Sequence, residues 1–215
     1  LSWDKAVAAD DTHELTFASL PFNHPLYILY SSGTTGIPKC IVHGAGGTLL
    51  QHAKELSLHS DIRPSDNVLY FTTCGWMMWN WLVSTLFTGA AITLFDGSPA
   101  HPSIDALWEA VATKKVTHFG TSPKYIGSCR GAVSPRTKFD LSALRVVFST
   151  GAPLLDEDFD WIYSDVSEDV LLASISGGTD IISCFMLGNP LLPVIRGEIQ
   201  GAGLGMDIAA YNDNH

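Results

Sequence analysis

The chain is short of charge: 16% of its 215 residues are Asp, Glu, Lys or Arg, against an apolar share of 46%. That balance excludes an intrinsically disordered chain, because enough apolar surface is present to offset the entropy of ordering. Basic residues are scarcer still. Twelve Lys and Arg against 22 Asp and Glu leave a net charge of −10, which argues against a nucleic-acid or anionic-membrane surface. Long apolar runs are missing too; none reaches the roughly 18 residues that read as a transmembrane helix. The opening Leu1-Ser2-Trp3-Asp4 has no basic stretch and no long apolar core, so no signal peptide is visible. Cysteine is limited to Cys40, Cys74, Cys129 and Cys184, with no C-x-x-C pair, which points away from a zinc site or a disulfide framework. Four reduced, mostly buried thiols in a cytoplasmic protein are the expectation. Eight histidines are scattered without H-x-x-x-H spacing and read as surface or satisfied core residues.

The length suits one or two domains with a sizeable core. The chain begins without methionine and ends at Asn212-Asp213-Asn214-His215, just after an expected strand. Both ends read as internal to a longer polypeptide.

The densest chemistry lies in Tyr30-Ser31-Ser32-Gly33-Thr34-Thr35-Gly36-Ile37-Pro38-Lys39. Hydroxyls, two glycines and a lysine sit there between two apolar runs. Glycines allow close backbone approach, so such a loop can turn N–H groups and hydroxyls onto a phosphate, with Lys39 adding a mobile positive charge. A polar turn between strands is the plainer alternative. The pattern is not the ordinary P-loop, which needs Gly, four residues, then Gly-Lys-Ser/Thr. Here Gly33 and Gly36 are three apart, and Cys40 stands where a magnesium-binding hydroxyl would follow the lysine.

From residue 26 onward, short β-branched or aromatic runs alternate with helical periodicity. Strands are expected at 26–30, 40–43, 67–72, 90–95, 116–120, 144–149 and 169–174. Helices are expected at 47–59, 77–87, 123–128 and 156–164, and from a Ser103 cap to about residue 113. Residues 197–200 and 206–211 read as edge strands of another sheet. This alternation predicts an α/β fold, a mostly parallel sheet flanked by helices on both faces. Ligands in such sheets sit at the carboxyl ends of the strands. The loops 31–39, 149–153 and 174–180 are each expected to follow a strand of one sheet and to share one cleft, with the first mobile when no ligand is bound.

Ser149-Thr150-Gly151-Ala152-Pro153 is a small turn that lets a flat ring lie against backbone, or simply an ordinary strand-to-helix turn. In Ser174-Ile175-Ser176-Gly177-Gly178-Thr179-Asp180, two glycines expose backbone, Thr179 offers a hydroxyl, and Asp180 offers an oxygen ligand suited to Mg²⁺. Trp76 follows Gly75 just past an expected strand end and is placed to wall a small pocket. Met78, Trp81 and Leu82 of the same stretch read as core.

The 31–39 run resembles the signature loop of the adenylate-forming enzymes, the acyl-CoA synthetase superfamily. The turns at 149–153 and 174–180 resemble that superfamily's adenine-side turn and its Thr-acid segment. The resemblance covers nearly the whole chain from about residue 15. It implies that residues 1–215 are part of the large N-terminal AMP-binding domain, with the C-terminal domain absent. ATP, Mg²⁺ and coenzyme A are the implied cofactor and substrates. Ser31, Ser32, Gly33, Thr34, Thr35, Gly36 and Lys39 would grip the β- and γ-phosphates. Gly151, Ala152 and Pro153 would flank the adenine, with Ser176, Gly177, Gly178 and Thr179 completing the nucleotide site. Thr179 and Lys39 would act on the reacting phosphates, Asp180 would take the metal, and Trp76 with Gly178 would border the acyl site. The superfamily has Glu where this chain has Asp180, one methylene shorter, so the metal contact could run through water.

The runs 26–30, 74–81, 174–180 and 197–200 narrow the resemblance to the branch that activates acetoacetate, a relative of acetyl-CoA synthetase. A Trp-walled pocket favours a short acid, and acetate, propionate or butyrate remain open. So do a non-catalytic nucleotide-binding module and another adenylating enzyme, peptide-synthetase-like or luciferase-like. No oligomeric state is implied. Since the superfamily's ribose-binding, hinge and adenylation-lysine motifs are not in this sequence, the chain alone is expected to form acyl-CoA poorly.

Overall fold

The computed structural model describes residues 2, 4–5, 14, 16–31 and 38–212. Strands β1 (Pro25–Ser31) and β2 (Lys39–Gly44) come first, then helix α1 (Ala45–Lys54), which continues as a π-helical turn over Glu55–His59. Next come β3 (Asn67–Tyr70), α2 (Met77–Ser84), β4 (Ala91–Thr93), α3 (Ala106–Thr113) and β5 (His118–Thr121). They are followed by α4 (Pro123–Cys129), α5 (Pro135–Lys138), β6 (Val146–Ser149), α6 (Asp156–Trp161) and β7 (Leu171–Ser174). Short strands β8 (Ser176–Gly178), β9 (Ser183–Leu187) and β10 (Gly201–Ala202) close the series.

The central sheet has five strands in the order β4-β3-β5-β6-β7, and every pairing in it is parallel. Its strands are largely apolar because both faces are covered, with His118, Thr121, Ser149 and Ser174 as buried polar exceptions. Period-2 alternation sends Leu69, Phe119, Val147 and Leu172 into a core under α3, α4 and α6, where Trp108, Ile126 and Phe159 meet them. The opposite face carries Val68, Tyr70, Val146, Phe148 and Ala173, packed against Met77, Met78, Trp81 and Leu82 of α2. Trp108 sets its edge to Phe119 at 4.9 Å, and Trp81 does the same to Phe148 at 5.5 Å. The expected α/β architecture with a parallel sheet between helical layers is therefore present.

Several details differ from the sequence reading. β1 and β2 do not join the central sheet; they form their own antiparallel pair, with Ser31 opposite Lys39. The segment read as a loop after β7 contains a strand, β8, which pairs antiparallel with β9. Gly177 makes that pairing possible, since its backbone lies against the next strand where no β-carbon would fit. Neither 197–200 nor 206–211 forms a strand; the short strand lies just beyond the first, at Gly201–Ala202, and pairs with β9. Ser103 does not cap its helix: Asp105 occupies that position, and the Ser103 hydroxyl bonds the Asp105 carboxylate instead. Two of the four cysteines, Cys40 and Cys74, are exposed rather than buried, and all four are free. Among the described residues, no helix is long and apolar enough to cross a membrane.

Candidate active site

A cavity of about 470 Å³ opens at the carboxyl rim of the central sheet. The turn after β6 supplies Thr150, Gly151, Ala152, Pro153 and Leu154 to its wall. The end of β7 and strand β8 add Ser174, Ile175, Ser176, Gly177 and Gly178, followed by Thr179. Trp76, Met77 and Met78 enter from the start of α2, and Gly197 and Ile199 from the far side. A concave rim site of this size is where α/β sheets hold small ligands.

Local bonds explain why these turns meet. The Thr150 hydroxyl donates to the Ile175 carbonyl at 2.8 Å, and the Ile175 N–H donates to Ser149 at 2.8 Å. The loops after β6 and β7 are thereby stitched together. Gly151 adopts φ +102, a left-handed conformation that favours glycine, and a β-carbon there would lie 3.7 Å from the Trp76 indole. Trp76 in turn sets its edge against Tyr70 at 6.0 Å. Arg196 grips Asp160 through two N–H···O bonds at 2.8 Å each, with a further bond to Asp156. That clasp holds Gly197 and Ile199 over the cavity, and the Arg196 bond lowers the Asp160 carboxyl below its ordinary pKa.

The wall is backed by a buried polar cluster. Glu55, fully buried, accepts hydrogen bonds from Trp81 Nε1 (3.0 Å), the Cys184 N–H (3.0 Å), Gln51 Nε2 (3.1 Å) and the Ser183 hydroxyl. Cys184 lines the cavity, and burial pushes its thiol well up, so it sits there as a neutral small group.

Of the residues singled out in the sequence, Trp76, Gly151, Ala152, Pro153, Ser176, Gly177, Gly178 and Thr179 share this one cavity. Asp180 follows Thr179 but is exposed and outside the wall. Ser31 and Lys39 face each other at the end of the β1–β2 pair, also outside the wall, with Lys39 exposed. Ser32, Gly33, Thr34, Thr35 and Gly36 lie outside the described residues, as does the expectation of a mobile loop. Met77, Met78, Ser183, Cys184, Gly197 and Ile199 are wall residues that the sequence reading misses. Their apolar or small character reads as core in a linear sequence; the pairing of β8 with β9 brings Ser183 and Cys184 round, and the Arg196 clasp brings Gly197 and Ile199.

Among the described residues, no group of three His, Cys, Asp or Glu gathers to hold a metal. The exposed Asp180 carboxylate still suits Mg²⁺, which keeps most of its waters and binds through one or two carboxylates plus substrate phosphates.

Comparison with known proteins agrees with this geometry. The family model described as "AMP-binding enzyme" matches residues 2–195. An acetoacetyl-coenzyme A synthetase from Rhizobium meliloti is 56% identical over 208 residues, which cover 96% of this chain and 32% of that protein. The acetoacetyl-CoA synthetase of Gallus gallus is 49% identical, over 95% of this chain and 31% of that protein. A solved acetoacetyl-CoA synthetase from Streptomyces lividans superposes with a TM-score of 0.91 at 46% identity, covering 99% of this chain and 33% of that one. The chain thus spans about a third of the length of the relatives it matches. With the family model spanning most of its length and the rim cavity in place, the chain belongs to the AMP-binding enzyme family.

Proposed function

We propose that this chain forms part of the N-terminal AMP-binding domain of an acid–thiol ligase that activates acetoacetate. ATP is consumed to make acetoacetyl-adenylate and pyrophosphate, and the thiol of coenzyme A then displaces AMP to give the thioester. The observation that carries the reading is the convergence of the 150–154 turn, the 174–179 segment and Trp76 on one rim cavity. The names of the relatives support the choice of acid.

No side-chain nucleophile is needed, since the substrate carboxylate attacks the α-phosphate itself. The residues orient the reactants and offset charge as it develops. Gly151, Ala152 and Pro153 present a flat backbone surface to the adenine. Gly177 and Gly178 let the nucleotide approach backbone closely, and the Thr179 hydroxyl donates to an α-phosphate oxygen. Lys39, with Ser31, Ser32, Gly33, Thr34, Thr35 and Gly36, holds the β- and γ-phosphates. Asp180 would hold Mg²⁺, which supplies charge neutralisation on the phosphates when bound. Trp76 closes the acyl end beside Gly178 and limits chain length. The partners are small molecules rather than nucleic acid, in keeping with the net charge of −10. Four free thiols suit a cytoplasmic setting.

The test is calorimetric titration of the chain with a non-hydrolysable acetoacetyl-adenylate analogue, beside acetyl and propionyl analogues and free adenosine. Tighter binding of the acetoacetyl form is expected, and equal or absent binding of all three acyl forms overturns the reading. Pyrophosphate and thioester formation by the chain alone should be slow. Turnover within the usual enzyme range of about 1–10³ s⁻¹ would overturn the view that it is only part of the catalytic unit.

A further inference from the structure

The Nε2–H of His43 donates to the carbonyl oxygen of Thr179 at 2.9 Å, across 136 positions of sequence. The two residues belong to segments with no strand ladder between them, since β1 and β2 form one sheet and β8 and β9 another. His43 lies on the same strand as Lys39, four positions on. On the functional reading above, that strand carries the grip on the β- and γ-phosphates, while Thr179 and Asp180 serve the α-phosphate and its metal.

The turn that His43 reaches is under backbone strain. Ile182 has φ +48, a left-handed conformation that is an outlier for a β-branched residue and persists only where its surroundings impose it. Those surroundings are specific. His52 Nε2 donates to the Ile182 carbonyl at 2.7 Å, and His52 Nδ1 shares a hydrogen bond with the Ser84 hydroxyl at 2.8 Å. Glu55 anchors the next two residues through the Ser183 hydroxyl and the Cys184 N–H. The Thr179 carbonyl also accepts from the Ile182 N–H at 3.2 Å, closing the turn. Two histidines therefore hold the first and last carbonyls of residues 179–182, and Glu55 holds Ser183 and Cys184 just beyond them.

We infer that His43 is a positioning residue that locks the Lys39–Gly44 strand to the peptide joining Thr179 and Asp180, so that the phosphate-gripping strand and the α-phosphate turn keep one geometry. Pinning the Thr179 carbonyl fixes the plane of the following peptide, and with it the direction in which Asp180 leaves the backbone. A ring that merely filled space would do none of this, because the effect needs a donor at the Nε2 position. The inference rests on the adenylate-forming reading for its chemistry, but the mechanical link can be measured without it.

The experiment compares the chain with His43→Phe, which keeps a ring and loses the donor, and His43→Gln, whose amide nitrogen reaches about as far as Nε2. His43→Asn, polar but too short to reach, stands in if His43→Phe does not fold. Amide hydrogen exchange over residues 179–183 reports the clamp, and titration with Mg²⁺–ATP and with adenosine reports its consequence. Exchange should quicken by up to about tenfold on losing one such bond in His43→Phe or His43→Asn, and return towards the parent rate in His43→Gln. Mg²⁺–ATP should weaken by a similar factor in the first two, with adenosine unchanged. Equal exchange in all the chains overturns the inference, as does equal loss in His43→Gln and His43→Phe. Failure of the unsubstituted chain to bind either nucleotide would instead count against the functional reading, leaving the exchange data to judge the clamp.

Discussion

Gly177 lies so close to Ser183 on the neighbouring strand that a β-carbon placed on it would come 2.4 Å from the Ser183 carbonyl oxygen. Because the obstacle is backbone, no side-chain rotation relieves it. Gly177→Ala should force β8 from β9 and cost about 1–3 kcal/mol, lowering the melting temperature by roughly 2–4 °C for each kcal/mol in a chain of this size. At Gly178 the same methyl would meet the Phe185 ring at 3.6 Å and the Asp180 nitrogen at 4.0 Å, both ordinary contacts. Gly178→Ala should therefore leave the melting temperature nearly unchanged. Differential scanning calorimetry of the two variants decides it, and equal losses would refute the argument.

Glu55 presents two oxygens to four donors. One accepts from Gln51, Ser183 and the Cys184 N–H, while the other accepts from the Trp81 indole N–H at 3.0 Å. Glu55→Ala leaves several buried donors unsatisfied, each costing about 1–3 kcal/mol, so a loss of several kcal/mol is expected. Glu55→Gln keeps the crowded oxygen but sets an amide N–H against the indole N–H. Its loss should be near that of a single donor. Urea denaturation at neutral pH measures both, and a Glu55→Gln loss as large as that of Glu55→Ala would contradict the division of roles.

Two buried histidines make stability pH-dependent. Burial lowers the pKa of His52 from its ordinary 6.5; its bond to the Ile182 carbonyl and the Glu55 charge oppose that effect, and His43 reinforces it. Burial likewise lowers His118 from 6.5, opposed by its bond to the Ser60 carbonyl and by Asp66 and Asp61, and reinforced by Arg145. In both, the folded state favours the neutral ring while the unfolded chain takes up a proton near 6.5. Their stability is thus fully present above that pH and is lost as pH falls from there towards the lowered folded values. Each ring contributes a slope of at most about 1.4 kcal/mol per pH unit. Denaturation midpoints should fall between about pH 7.5 and 5.5, a window above the ordinary carboxylate range. A flat profile there would show that neither ring is held neutral.

Trp76 lines the cavity and stands against Gly151. If it limits acyl length, Trp76→Ala should shift the relative affinity of a hexanoyl-adenylate analogue over the acetoacetyl one by about tenfold or more, equivalent to 1.4 kcal/mol. Competition binding of the two analogues reads this directly. An unchanged ratio would place the acyl chain elsewhere.

By itself the sequence determines the central architecture. Continuous apolar runs such as Val146-Val147-Phe148, alternating with helical spacing, can satisfy both faces of a strand only inside a parallel sheet covered by helices. The turn chemistry of Thr150-Gly151-Ala152-Pro153 and Ser176-Gly177-Gly178-Thr179 is also legible, because hydroxyl and glycine clusters between apolar runs carry a local meaning. What the tertiary structure decided is everything that depends on contact across long sequence separations. The placing of β1 and β2 in a sheet of their own, the pairing of β8 with β9, and the turning of Ser183 and Cys184 onto the cavity have no local signature. The histidines show this most plainly. In the sequence they are scattered rings, yet His43, His52 and His59 each hydrogen-bond a backbone carbonyl between residues 179 and 188. An imidazole's partner is chosen by which carbonyl the fold leaves within reach of its N–H, and that choice is made only when helix, sheet and turn have packed together.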